Sequence, residues 1–326
     1  MSAPEIKNCP STLAENFETY SPTALKKLFD GKKVNHILPY LSPTNTENNP
    51  LFEKKQGRIS ISGVQEKYLL RLEKNKLRLI SQGEQATYIL KPIPSQGKNK
   101  DQMPANEQLT MQIAKQIYSI ETAENGLVFF ENGEPAYIAK RFDIKSDGSK
   151  LAQEDFASLA ERSSQTHGED YKYLGNYLEL FELMQQKIPA YPTEAPKLLK
   201  LLIFNYLFSN GDEHFKNFSL LETPQGDYRL SPAYDLLNSQ IHVEDAVFAL
   251  ADGLLPKNLT QGKIAFQFET LATNAKIPAT IFKKIMTLML SKADAVEKMV
   301  SASFLKESIQ RNYWQAYQAR LKQLQK

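Results

Sequence analysis

The chain has 326 residues, 41% of them hydrophobic, which suits a packed enzyme-sized protein and excludes a disordered one. Its 40 basic and 37 acidic residues leave a net charge of +3, too small and too dispersed to form a nucleic-acid footprint. The one cysteine, Cys9, excludes an internal disulfide framework and a cysteine-based zinc cluster.

Residues 1–19 hold no apolar run and carry Glu5, Glu15 and Glu18, so they do not read as a secretion signal. The longest nearly apolar stretch, 198–208, is interrupted by Lys200 and Asn205 and is too short for a bilayer. The expectation is a cytoplasmic protein with no membrane association. Residues 21–29 read as a short helix, and the Pro- and Asn-rich run 42–50 as a loop.

From Arg58 the pattern alternates. Segments 58–62, 67–72, 77–80 and 87–90 predict a strand meander, followed by a helix over 107–117 with Leu109, Ile113 and Ile117 on one face. Segments 127–131 and 135–141 predict a hairpin about Asn132-Gly133. Beyond residue 145 the spacing turns helical, over 153–160, 173–186, 194–209, 279–299 and 303–325. A short hairpin at 218–230 interrupts it. The reading is α+β: an extension over 1–57, a strand-rich small lobe over 58–142 and a helical lobe over 143–326, with a cleft between the lobes.

The helix over 194–209 is apolar on every face and stops abruptly at the polar octet Asn210-Gly-Asp-Glu-His-Phe-Lys-Asn217. A hairpin follows, then a second polar stop at Tyr234-Asp235. Rigid elements thus deliver two carboxylates and an amide to loop ends, where reactive groups commonly sit. Phosphoryl transfer uses this set: one carboxylate, here Asp212, orients the attacking hydroxyl and takes its proton. A second carboxylate and an amide oxygen, here Asp235 and Asn217, hold magnesium against phosphates.

Upstream, the small residues Ser60, Ser62 and Gly63 lie between two strands and lead to Lys67, so backbone N–H groups there are able to approach phosphate oxygens. An ordinary tight turn is the competing reading. Lys91 ends a predicted strand, and Glu107 on the next helix is placed to pair with it. Lys140-Arg141-Phe142-Asp143 joins the lobes and reads equally as an adenine-facing hinge or a plain linker.

The segments 59–67, 88–92, 106–107, 140–143, 153–155, 210–218 and 230–235 resemble, in order, those of the HipA-like serine/threonine kinases of bacterial toxin–antitoxin modules. The resemblance implies a two-lobed protein-kinase-like fold with ATP and Mg2+ as cofactors. It implies Asp212 as proton acceptor and Asn217 and Asp235 as magnesium ligands. It places Ser62, Gly63, Val64, Gln65, Glu66, Lys67, Lys91 and His214 around the ATP phosphates. Lys140, Arg141 and Phe142 would hold adenine, and Phe215, Lys216 and Tyr234 would complete the ATP site.

Two features resemble the short HipT branch, from three-component HipBST systems. The segment ahead of the serine loop is short, without the extra N-terminal subdomain of HipA, and the loop carries two serines, Ser60 and Ser62. The branch implies autophosphorylation on those serines and inactivation by it, since a phosphate there adds nearly two negative charges beside the ATP phosphates. It also implies a HipS-like small antitoxin, a HipB-like DNA-binding antitoxin, and an aminoacyl-tRNA synthetase as substrate, tryptophanyl-tRNA synthetase foremost, with no direct nucleic-acid contact. A catalytically silent partner-binding module and a small-molecule or lipid kinase are the competing functions.

Overall fold

The computed structural model describes residues 5–43, 65–244 and 246–326. The predicted strand over 58–62 and the candidate residues Ser60, Ser62, Gly63 and Val64 lie outside the described residues.

The fold has a strand-rich N-lobe and a mostly helical C-lobe. A first helix, α1 (Pro22–Leu28), is opened by Ser21, whose hydroxyl accepts from the Ala24 amide. Strands β1 (Tyr68–Glu73), β2 (Lys76–Leu79), β3 (Tyr88–Pro92), β4 (Asn125–Phe129) and β5 (Pro135–Lys140) form one antiparallel sheet in the order β2-β1-β3-β5-β4. Leu70, Tyr88, Leu90 and Ile138 bury one side of this sheet against Tyr20, Leu28 and Phe29 of the N-terminal segment. The other side faces α2 (Met103–Gln116), which is buried from Pro104 to Ala114. This helix starts four residues before the predicted Glu107, because Pro104 occupies its first turn, where a missing N–H costs nothing.

In the C-lobe the predicted helix over 153–160 divides. Gln153–Asp155 form strand β6, and α3 (Phe156–Leu159) follows, with the Asp155 carboxylate accepting from the Ser158 amide at 2.9 Å. Asp155 therefore ends one element and caps the next. Strand β6 pairs with β7 (Ser219–Glu222), and β7 with β8 (Tyr228–Leu230), as a small antiparallel sheet. A short helix, α4 (Ser164–His167), precedes the turn Tyr171–Tyr173 and α5 (Leu178–Lys187). The predicted helix over 173–186 begins five residues late because Gly175 has φ +87° and breaks the turn. A Cβ at Gly175 would lie 2.3 Å from a Glu179 carboxylate oxygen that is held by the Asn176 amide. Gly175→Ala is therefore expected to lower stability by about 1–3 kcal/mol, read as a drop in urea midpoint with an unchanged slope.

Helix α6 (Tyr191–Leu207) is the axis of the lobe, with Leu198, Leu199, Leu201, Leu202, Ile203, Phe204, Tyr206 and Leu207 all buried. Phe204 stacks on Phe208 at 4.4 Å, and the ring of Tyr118 meets both edge-on. The rest is α7 (Ile264–Asn274), α8 (Ala279–Leu290), α9 (Ala293–Ser301) and α10 (Glu307–Leu324). Helix α7 was not anticipated. The single helix expected over 279–299 is two, parted at Ser291, whose hydroxyl bonds the Leu288 carbonyl and competes with the backbone ladder. Among the described residues, no helix is long and apolar enough to cross a membrane.

Candidate active site

The site is built where β3, α2 and the loops after α6 and β8 converge. Lys91, near the end of β3, is 5% exposed. Its ammonium pairs with the Glu107 carboxylate of α2 at 2.5 Å and with Asp235 Oδ1. The Tyr137 ring lies 5.3 Å away. Burial works against the Lys91 charge, but the Asp235 and Glu107 carboxylates hold its pKa above the ordinary lysine value. Burial pushes the Glu107 carboxyl upward against the pull of Lys91.

Asp235 follows β8 and sits in the left-handed region with φ 58°, which Asp tolerates better than most residues. Lys67 approaches its second oxygen at 3.4 Å. Burial opposes the Asp235 charge, and Lys67 with Lys91 outweighs it, holding the carboxyl well below its usual range.

The loop after α6 begins at Ser209, φ 52°, and folds back on the helix through the Asn210 amide to the Asn205 carbonyl at 3.0 Å. The Gly211 amide donates to Ser239 Oγ at 2.8 Å. Asp212 points into solvent-accessible space, and its Oδ1 accepts from the Tyr173 hydroxyl at 2.8 Å. The His214 amide donates to Asn217 Oδ1 at 3.2 Å, closing the turn Phe215–Asn217. Burial, with Lys172 adding to it, lowers the His214 imidazole to about 3, so it is neutral at physiological pH.

Glu213 is buried, and neither of its carboxyl oxygens has a hydrogen-bond partner among the described residues. Burial raises its pKa well above the usual glutamate value. A carboxyl raised on folding stabilises fully below its unfolded pKa, and that contribution is lost as pH rises toward the folded value. Glu213→Gln is therefore expected to match the wild type near pH 4 and to exceed it by about 1–3 kcal/mol near pH 8. Denaturation midpoints across that range test this.

Two cavities meet here. One of about 440 Å³ is lined by Lys140, Arg141, Phe142, Asp155, Lys216 and Tyr234, among others. The other, about 270 Å³, is lined by Gln65, Lys172, Tyr173, Asp212, His214 and Asn217, among others. Lys67, Lys91 and Asp235 belong to both walls. Phe142 and Tyr234 face each other at 6.0 Å in the larger cavity, and the Tyr234 hydroxyl donates to the Lys216 carbonyl at 3.0 Å.

Of the described candidate residues, Glu66 and Phe215 line neither cavity. The Glu66 carboxylate accepts from the Tyr68 hydroxyl at 2.7 Å, and Phe215 is fully buried with the Arg162 guanidinium 4.6 Å over its ring. Sequence reasoning missed Tyr137, Asp155, Lys172 and Tyr173. Gly175 is a local signal that the α-helix starts only after it.

The oxygen donors of Asn217 and Asp235 suit a hard cation such as Mg2+, which takes one or two protein carboxylates and completes its shell with phosphates and water. Lys67 and Lys91 keep the Asp235 carboxylate ionised, the form that ligates a cation, and Mg2+ would share its oxygens with these two ammonium groups. The donor set fits.

A two-lobed α+β fold with a lysine–glutamate pair at the lobe junction and two acidic loop ends across a cleft is of the protein-kinase-like class. Within that class the chain belongs to the HipA-like family: the profile of the HipA-like C-terminal domain matches residues 59–297. It is 26% identical over 317 residues to a kinase candidate of Haemophilus influenzae, covering 89% of this chain and 88% of that one. It is 29% identical to the kinase candidate Y4mE of Sinorhizobium fredii, covering 77% of this chain and 59% of that one. In fold it matches a chain of the Shewanella oneidensis HipA, HipB and operator DNA complex, with TM-score 0.63, 20% identity, and 86% and 67% of the two chains covered. It also matches the Helicobacter pylori proinflammatory kinase CtkA, with TM-score 0.52, 13% identity, and 78% and 92% covered.

Proposed function

We propose that the chain is an ATP- and Mg2+-dependent serine/threonine-protein kinase acting as the toxin of a toxin–antitoxin system. The observation that carries this reading is the convergence of Asp212, Asn217 and Asp235 on one cavity wall beside the Lys91–Glu107 pair. Asp212, the exposed carboxylate, orients the acceptor hydroxyl and takes its proton. Asn217 and Asp235 hold magnesium, which when bound draws charge off the phosphate oxygens. Lys91, fixed by Glu107, and Lys67 neutralise the same phosphates, while neutral His214 is a hydrogen-bonding neighbour. The larger cavity, between Phe142 and Tyr234, takes the adenine.

The two loop serines, Ser60 and Ser62, support the HipT branch and autophosphorylation there. On that reading the acceptor is an aminoacyl-tRNA synthetase, tryptophanyl-tRNA synthetase first, and phosphorylation halts translation in the cytoplasm. A HipS-like small antitoxin and a HipB-like DNA-binding antitoxin are the partners. Equilibrium dialysis tests the cofactor assignment. ATP is expected to bind one per chain, and chelation of Mg2+ or Asp235→Asn is expected to weaken it strongly. Absence of binding, or binding indifferent to both changes, would overturn the proposal.

A further inference from the structure

Tyr173 lies 39 positions from Asp212 in sequence, yet its hydroxyl donates to Asp212 Oδ1 at 2.8 Å. The phenol is held from several sides. Its ring packs edge-on against His214, centroids 5.1 Å apart at 72°, and the Lys172 ammonium sits 4.9 Å over it. Its carbonyl accepts from the Ala251 amide at 2.8 Å. One residue on, the Leu174 carbonyl accepts from Arg162 at 2.7 Å, and that same arginine covers Phe215 of the octet. At the other end of the turn, the Tyr171 hydroxyl accepts from Lys216 at 3.3 Å. The turn Tyr171–Tyr173 therefore clamps the loop from Asp212 to Lys216.

A carboxylate that must take a proton from an acceptor hydroxyl gains from a donor that fixes its orientation, because small misplacements are expensive in rate. A phenol fixed by backbone and ring contacts supplies that donor at little cost in entropy. We infer that Tyr173 is a positioning residue for phosphoryl transfer, aiming the Asp212 carboxylate at the acceptor hydroxyl. The inference rests on Asp212 being the proton acceptor.

The full chain, γ-labelled ATP, Mg2+ and total soluble bacterial protein as acceptor test it. Tyr173→Phe is expected to cut the transfer rate about 10- to 100-fold, with the KM for ATP, nucleotide affinity and melting midpoint unchanged. In an Asp212→Asn background the same change is expected to do nothing further, because the two residues act as a unit. A Tyr173→Phe rate equal to or above wild type, with Asp212→Asn inactive, would overturn the inference alone. A parallel loss of nucleotide affinity and melting midpoint would reduce Tyr173 to a structural role and also overturn it. Full activity in Asp212→Asn would overturn the assignment beneath it.

Discussion

Asp212→Asn is expected to lower phosphoryl transfer by about two to four orders of magnitude, the range that loss of a positioned base produces. The carboxylate is exposed and its bond to Tyr173 is near the surface, so the substitution removes basicity while leaving the fold intact. Melting midpoint and ATP affinity are therefore expected to stay close to wild type while label incorporation disappears. In cells the same variant is expected to abolish growth arrest. Arrest undiminished by this variant would favour the silent binding module over the kinase.

Lys91→Met is expected to act on both stability and activity. The ammonium is the shared partner of Glu107, whose side chain is 2% exposed, and of Asp235. Removing it leaves Glu107 buried without its counter-charge and Asp235 with Lys67 as its remaining ion-pair partner. Breaking a buried pair from one side costs about 3–5 kcal/mol, a large share of a typical domain's stability. The double variant Lys91→Met, Glu107→Leu removes the stranded carboxylate and is expected to regain part of that loss in denaturant titrations. Phosphoryl transfer is not expected to return with it. If stability and transfer recover together, the pair is structural and Lys91 has no part in handling phosphate.

Much of this arrangement is legible from local chemistry. The octet 210–217 stands out because an all-apolar helix ends at it, and that helix is buried along its length. Lys91 and Glu107 are readable as a pair because each lies on an element with clear periodicity, a strand and a helix in succession. What was not legible depends on contacts distant in sequence. The strand Gln153–Asp155 is three residues long and exists by pairing with β7, some 66 positions later, so a local helical spacing misreads it. Tyr173 is hidden for the same reason: its partner is Asp212, and its own segment mimics a helix until Gly175. The division of the helix over 279–299 rests on one serine hydroxyl, too small a signal to outweigh apolar spacing on both sides. The burial of Phe215 and the Glu66–Tyr68 bond show the limit of reading a site as a contiguous motif, since neighbours in sequence point to different surroundings.

In the proposed function this cleft moves phosphate from ATP to a protein hydroxyl. The direct measurement incubates the purified chain with γ-labelled ATP, Mg2+ and total soluble protein together with extracted lipid, then separates protein, lipid and small molecules. Label in the protein fraction, mapping to phosphoserine or phosphothreonine and absent with Asp212→Asn, is the predicted result. Label in lipid or small molecules with none in protein, or no label anywhere from a chain that binds ATP, would contradict it.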